Sequence, residues 1–190
     1  LQTLVLVGQD MAGTRKVEEV LESITREALL LLDCSMSAFF LYESETDELK
    51  LHSLQDKTGT LVHEETLNPA DSLLGTSLRG HRQVQTRDLF RTEEHHFTEL
   101  IREKNLHSML VTPVVYEDEP IGLLTLYVDR SHRYNDDERL IARALADLGA
   151  IAIQNAFLYD RVFSSEEILR KSERLTTLGT LAAEIAHEIR

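Results

Sequence analysis

The chain has 190 residues, 42% of them hydrophobic, with 33 acidic against 20 basic side chains and a formal charge of -13. That length supports one good core with an extension rather than two complete domains. The acidic excess argues against a surface that neutralises the phosphates of nucleic acid or an anionic membrane, so no nucleic-acid partner is expected.

In chain order, residues 1–14 read as a linker or incoming helix, and Leu4 to Val7 lacks the basic flank and cleavage signal of a secretory peptide. From Lys16 to Leu32 the apolar residues Val17, Val20, Leu21, Ile24, Ala28, Leu31 and Leu32 recur at helical spacing. Cys34 follows among small and apolar residues, where a buried thiol is expected; a lone cysteine forms no internal disulfide and suits a reducing cytoplasm. Met36 to Tyr42 is aromatic-rich, and Leu49 and Leu51 alternate with Lys50 and His52, which predicts two strands joined by the acidic loop Glu43 to Glu48. Thr58 to Ala70 reads as loop with one short strand. Asp71-Ser72 caps a short helix ending near Gly80, Val84 to Thr86 is a small strand, and Glu93 to Lys104 is another helix. Met109 to Tyr116 and Ile121 to Val128 are β-branched runs joined by Glu117-Asp118-Glu119-Pro120, an antiparallel hairpin. Asn135 or Asp136 opens a helix expected to bury Leu140, Ile141, Ala144, Leu145, Leu148, Ile151 and Ala152 on one face. No proline or glycine interrupts it between Ala150 and Leu178, so it runs on as a connecting helix. Apolar runs such as Ala28 to Leu32 and Gly122 to Val128 are far shorter than the roughly 20 residues of a membrane span. This order of elements predicts an α+β fold, an antiparallel sheet with helices packed against it.

Ser108 to Val115 followed by Pro120-Ile121-Gly122-Leu123-Leu124 resembles the last two sheet strands of a GAF domain, and Gly75 to Asp88 and Leu148 to Tyr159 resemble its middle and closing segments. The resemblance covers roughly residues 15 to 160. It implies a central sheet of about six strands, first and last helices on one face that often dimerise, and a small-ligand pocket on the other face. The domain division expected is 1–14 linker or incoming helix, 15–160 GAF sensory domain, and 161–190 signalling helix and start of the dimerisation and phosphoacceptor domain.

The last residues, Leu178-Gly179-Thr180-Leu181-Ala182-Ala183-Glu184-Ile185-Ala186-His187-Glu188-Ile189-Arg190, are similar to the phosphoacceptor box of sensor histidine kinases. Ile168, Leu175, Ala182 and Ile189 stand seven apart with Leu178 and Ile185 on the companion position, a coiled-coil seam with Lys171 out of character. With Ile168 at position a, His187 falls at f, outside the seam. Leu158 and Val162 do not continue that frame, so a phase shift is expected between about Val162 and Ile168. The resemblance implies that His187 attacks the terminal phosphoryl group of ATP as a neutral imidazole, with Glu188 as the adjacent orienting carboxylate and base. It further implies a homodimeric, cytoplasmic kinase that binds ATP and magnesium in a domain beyond residue 190, is free to be membrane-tethered upstream of residue 1, and passes phosphate to a response regulator. The Glu-Ile-Arg ending leans towards kinases whose regulators are transcription activators. Both ends of the chain read as internal to that longer protein, and without its ATP-binding domain the fragment is expected to be inactive. The alternative from another class is a GAF small-ligand or dimerisation module of a non-kinase regulator.

The candidate ligand pocket draws Phe39, Arg79, Arg87 and His107 from the sheet and the segments of residues 71–107, with Phe40, Phe90 and Phe97 as further apolar candidates. Glu94, His95, His96 and Glu99 are the densest group of metal-ligand types, but adjacent histidines diverge and no third ligand is evident, so no metal is expected. Lys104-Asn105 reverses the Asn-Lys of cyclic-nucleotide GAF domains. A GAF-fold reductase would need a reactive cysteine pair, and Cys34 stands alone.

Overall fold

The computed structural model describes residues 13–61, 65–70, 72–92 and 97–188. The chain divides into a unit of Arg15–Ile153 and a second that contains the residues from Gln154 onward. The elements are α1 Gly13–Leu31, β1 Met36–Glu43, β2 Glu48–Asp56, β3 Gly59–Thr60, β4 Thr66–Leu67, α2 Leu73–Gly80 and β5 Val84–Thr86. A 3-10 turn Leu89–Arg91, α3 Thr98–Glu103, β6 Ser108–Tyr116, β7 Glu119–Val128 and α4 Asp136–Glu188 complete the order. The sheet has seven strands in the order β3-β2-β1-β7-β6-β5, with β4 beside β2, and every pairing is antiparallel. The α+β class expected from the sequence is thus the observed one.

Local chemistry accounts for the element ends. The hairpin of β6 and β7 closes on Glu117 and Asp118, both with left-handed backbone (φ 49° and 67°), the twist that a two-residue hairpin turn requires. Ser72 caps α2 by accepting from the Gly75 N–H at 3.0 Å. Asn135 and Glu138 cap α4 reciprocally, each side chain accepting from the other's N–H at 2.9 and 2.7 Å. Residues 93–96 lie outside the described residues, so of the helix expected over Glu93 to Lys104 only Thr98–Glu103 is seen.

Two cores sandwich the sheet. On one face Leu21, Ile24 and Ala28 of α1, Leu32 just after it, and Ala142, Leu145, Ala146, Ala150 and Ile153 of α4 cover Phe39, Leu110, Val114, Leu124 and Leu126. On the other, Leu74, Leu78, Leu89, Phe97, Ile101 and Leu106 cover Met36, Phe40, Met109, Val111, Leu123 and Tyr127. The expected inner face of α4 is corrected here. Leu140, Leu148 and Ile151 point outward, at 67%, 38% and 52% exposure, and the smaller Ala142, Ala146 and Gly149 point in. The reason is spacing: the ring of Phe39 lies beneath Gly149, so close that a Cβ there would sit 2.9 Å from Cε2. A helix brought that near has room only for a small residue at that contact, while Leu145 and Ile153 fill the space to either side. Being apolar on both sides, Asp136–Tyr159 is long and apolar enough to meet the length and composition of a membrane span, which the shorter runs had not suggested. Its inward residues are nonetheless buried against the sheet.

Between α1 and β2 lies a buried polar band. Thr25 Oγ1 and Ser53 Oγ are 2.8 Å apart, and Gln55 Nε2 donates to the Glu22 carbonyl at 2.9 Å. Ser37, buried on β1, has no hydrogen-bond partner for its Oγ among the described residues. A desolvated hydroxyl without a partner costs free energy, so Ser37→Ala is expected to stabilise the domain by about 1 kcal/mol, raising the thermal midpoint by about 3 °C. Calorimetric melting checks this, and a fall in midpoint would show that the hydroxyl is bonded after all.

Candidate functional site

The face of the sheet away from α1 and α4 is where the resemblance places a ligand, and an aromatic cluster fills it. Phe40 of β1 and Tyr127 of β7 rise from the sheet, and the ring of Phe97 lies over them, its centroid 5.7 Å from Phe40 and 6.2 Å from Tyr127. Phe97 is 3% exposed and caps α3 with a left-handed backbone (φ 52°, ψ 26°). A bulky residue held there stores about 1–2 kcal/mol of strain, which the burial of its ring offsets. Its N–H donates to Glu65 Oε1 at 3.3 Å, and the Glu65 carbonyl accepts from Leu51 N–H at 3.0 Å, which ties β2 to the start of α3.

At the end of α3 a second tie is ionic. Asp56 of β2 is almost fully buried and pairs with the Lys104 ammonium. Its Oδ1 also accepts from the backbone N–H and the hydroxyl of Thr58, at 2.7 and 2.5 Å. Burial alone would raise the Asp56 pKa, but the Lys104 and Thr58 donors outweigh it and hold the carboxyl at about 2. Because the folded value lies below the unfolded one of about 3.9, this pair's contribution is full above pH 4 and is lost as pH falls towards 2. In Asp56→Asn that acid-side segment of the stability profile should flatten, as denaturant melts at pH 5, 4, 3 and 2.5 would show.

The residues selected from sequence do not converge. Phe39 is corrected: it lies on the opposite face, in the core beneath α1 and α4, because adjacent strand residues alternate. Arg79, on α2, is exposed and acts electrostatically on Tyr42 at the end of β1. Arg87 is exposed at the other end of the sheet, where its carbonyl accepts from Ser108 Oγ at 3.1 Å. His107 is near it, half-buried, with its ring edge-on to the half-exposed Phe90 at 5.1 Å. Arg87, Phe90 and His107 therefore share one corner, and Arg79 and Phe39 are elsewhere. A recess of about 260 Å³ opens beside β5 and the start of α4, lined by Gln85, Arg133, Tyr134, Asn135, Asp136 and Arg139. Its polar groups are largely committed to structure: Gln85 bonds the backbone of Tyr134, and Arg139 bonds Gln83 and approaches Asp136.

Of the metal-ligand types, Glu94, His95 and His96 lie outside the described residues, and Glu99 is exposed; among the described residues no three His, Cys, Asp or Glu side chains are grouped to hold a metal. Cys34 is buried as expected, its thiol 3.5 Å from the Ala28 carbonyl and pushed up to about 12 by burial, which leaves no reactive thiolate. His187 and Glu188 fall within the helical span of α4, but their side chains, like those of the coiled-coil seam, lie outside what is described. Sequence reading missed the Asp56–Lys104 pair and the Glu65 tie. Asp56-Lys57-Thr58 does carry a turn signal, an Asp bonding two residues on, but nothing local names Lys104 as its partner.

The fold and its two unlike faces define a small α+β module with a helix-covered side and an aromatic side. The family model of the GAF domain matches residues 14–154, and the chain belongs to that family. Among solved structures it is similar to the GAF domain of a phosphoenolpyruvate-protein phosphotransferase from Coxiella burnetii, at 19% identity and TM-score 0.68, covering 84% of this chain and 93% of that one. It is also similar to the GAF domain of a two-component sensor histidine kinase from Bacillus halodurans, at 21% identity and TM-score 0.62, covering 75% and 97%. A third is the free methionine-R-sulfoxide reductase from Neisseria meningitidis in complex with its substrate, at 16% identity and TM-score 0.65, covering 83% and 87%. No curated protein matches the chain.

Proposed function

We propose that this GAF domain is the sensory input of a sensor histidine kinase and controls ATP-dependent autophosphorylation at His187, followed by phosphotransfer to an aspartate of a response regulator. The observation that carries the reading is that one helix, Asp136–Glu188, includes both the residues buried on the sheet and the phosphoacceptor-like sequence as far as Glu188. The similar fold of a histidine-kinase GAF domain supports it. The signal is a small molecule that repacks the Phe40–Phe97–Tyr127 cluster, or the state of an upstream domain. The outward Leu30 and Leu31 of α1 and Leu140, Leu148 and Ile151 of α4 form the face on which two copies pair. ATP and magnesium are bound by another domain of the parent, which works in the cytoplasm, and Glu188 holds and helps deprotonate the His187 ring.

The test is to incubate the complete protein with labelled ATP and magnesium and to examine the bond formed. A phosphoramidate label, lost in acid and retained in alkali, on the peptide containing His187 supports the reading. An intact dimer that takes up no label moves the assignment to a GAF ligand-binding or dimerisation module of a non-kinase regulator.

A further inference from the structure

The two helices on the buried side are held to the sheet by different means. α1 is tied by directional bonds between buried groups, Thr25 to Ser53 at 2.8 Å and Gln55 to the Glu22 carbonyl at 2.9 Å. α4 is tied that way only at its beginning, where Gln83 Nε2 donates to the Arg139 carbonyl at 2.8 Å and Arg139 Nε donates to Gln83 Oε1 at 3.3 Å. From Leu140 to Ile153, among the described residues, no side-chain hydrogen bond or ion pair joins α4 to the sheet. Shape locates this stretch instead, through the Phe39 ring seated under Gly149 at a would-be Cβ distance of 2.9 Å to Cε2 and 3.0 Å to Cζ. A hydrogen bond weakens steeply with misalignment, whereas apolar contact is non-directional. α1 is therefore fixed to the sheet by directional bonds, whereas α4 beyond its Arg139 anchor is fixed by shape alone.

Phe39 is placed to drive that turn. It is fully buried, and its chain neighbour Phe40 carries the cluster on the opposite face. β1 carries both rings: it pairs with β7 in unbroken register on one side and with β2 on the other, where the register shifts between Phe39 and Phe40, and Gly122 of β7 approaches it so closely that a Cβ would lie 2.3 Å from the Phe40 carbonyl oxygen. The two rings are thus opposite ends of one short lever through the sheet.

We propose that the contact of Phe39 with Gly149 carries a rearrangement of the Phe40–Phe97–Tyr127 cluster through the sheet to α4, turning the helix about the Gln83–Arg139 anchor while α1 stays with the sheet. Phe39 is a positioning residue that touches no ligand on that face. The biological use of the coupling rests on the sensory reading above; the coupling itself is a property of the Arg15–Ile153 unit.

A trifluoromethyl probe attached at Arg143→Cys on α4, and in a separate sample at Arg26→Cys on α1, reports each helix by fluorine NMR. Both positions are exposed, and the native Cys34 is buried and escapes labelling. Phe97→Leu on the far face is expected to shift the α4 resonance and leave that of α1 in place. Adding Phe39→Leu should cut the α4 response at least about threefold, as two changes in one contact chain are non-additive. An α4 response unchanged by Phe39→Leu, or an α1 probe that moves as much, overturns the proposal. If circular dichroism shows that Phe39→Leu with Phe97→Leu does not fold, Gly149→Ala replaces it: its methyl displaces the Phe39 ring and shifts the α4 resonance, and Phe39→Leu in that background should cancel the shift. Additive shifts from those two changes would likewise overturn it. In the complete protein, a changed autophosphorylation rate in Gly149→Ala supports both readings. An NMR coupling with an unchanged rate keeps the coupling and counts against its control of the kinase, whereas absence of label in the parent protein itself counts against the kinase.

Discussion

Alanine at His187 is expected to remove all acid-labile, ATP-derived phosphate from the complete protein while leaving its melting temperature and dimer unchanged. An in-line attack on a phosphoryl group needs a neutral nitrogen with a free lone pair, and a histidine supplies one near neutral pH. The seven-residue spacing of Ile168, Leu175, Ala182 and Ile189 puts His187 off the seam, where a phosphate can reach it and where truncation costs no packing. Glu188→Gln separates the two roles: it keeps the acceptor but removes the carboxylate that takes up the ring proton, so the single-turnover rate should fall by about 10²-fold or more. A rate that is unaltered in Glu188→Gln would make the carboxylate a bystander, and label that survives in His187→Ala would place the acceptor elsewhere.

Gly122→Ala should be the most damaging single methyl added to the domain. The new Cβ would lie 2.3 Å from the Phe40 carbonyl oxygen and 3.4 Å from its carbon, both backbone atoms of a strand paired on both edges. Either strand can retreat only by straining its pairing with its other neighbour, close to where β1–β2 and β6–β7 already shift register. Overpacking that side chains absorb costs about 1–3 kcal/mol; here the backbone must give, and a loss of about 3 kcal/mol or more is expected, moving the urea midpoint down by more than about 1 M. Gly80→Ala is the control. There the nearest atoms belong to the Arg82 side chain, at 3.3 Å, on an exposed turn, so it should melt close to the parent. Equal losses from the two changes would mean that strand spacing at Gly122 is not the reason.

Much of the fold was legible because it is written locally. The β-branched runs of β6 and β7 sit one pleat apart around a two-residue turn, Ser72 and Asn135 are cap residues by chemistry, and the strand period breaks where the acidic loop intervenes. The candidate site was less legible. Phe39 and Phe40 look equivalent in a run of apolar residues, and only pairing with β2 and β7 decides which ring faces the helices and which faces Phe97. Asp56 and Lys104 are 48 residues apart, and no local signal links them.

Turn chemistry, side-chain period and a contiguous motif are properties of neighbours, so the class of the domain, the order of its strands along the chain and the acceptor-like ending at His187 could be read from the chain alone. Which side of α4 is inside was settled by packing. Apolar residues lie on both sides of that helix, with Arg143 and Asp147 breaking the outer one, so the apolar pattern alone was a weak guide; the approach of Phe39 to Gly149 sets small residues at that contact and leaves Leu140 and Ile151 outside. Steric fit at a helix–sheet contact depends on which atoms arrive from distant parts of the chain, and periodicity carries no record of them.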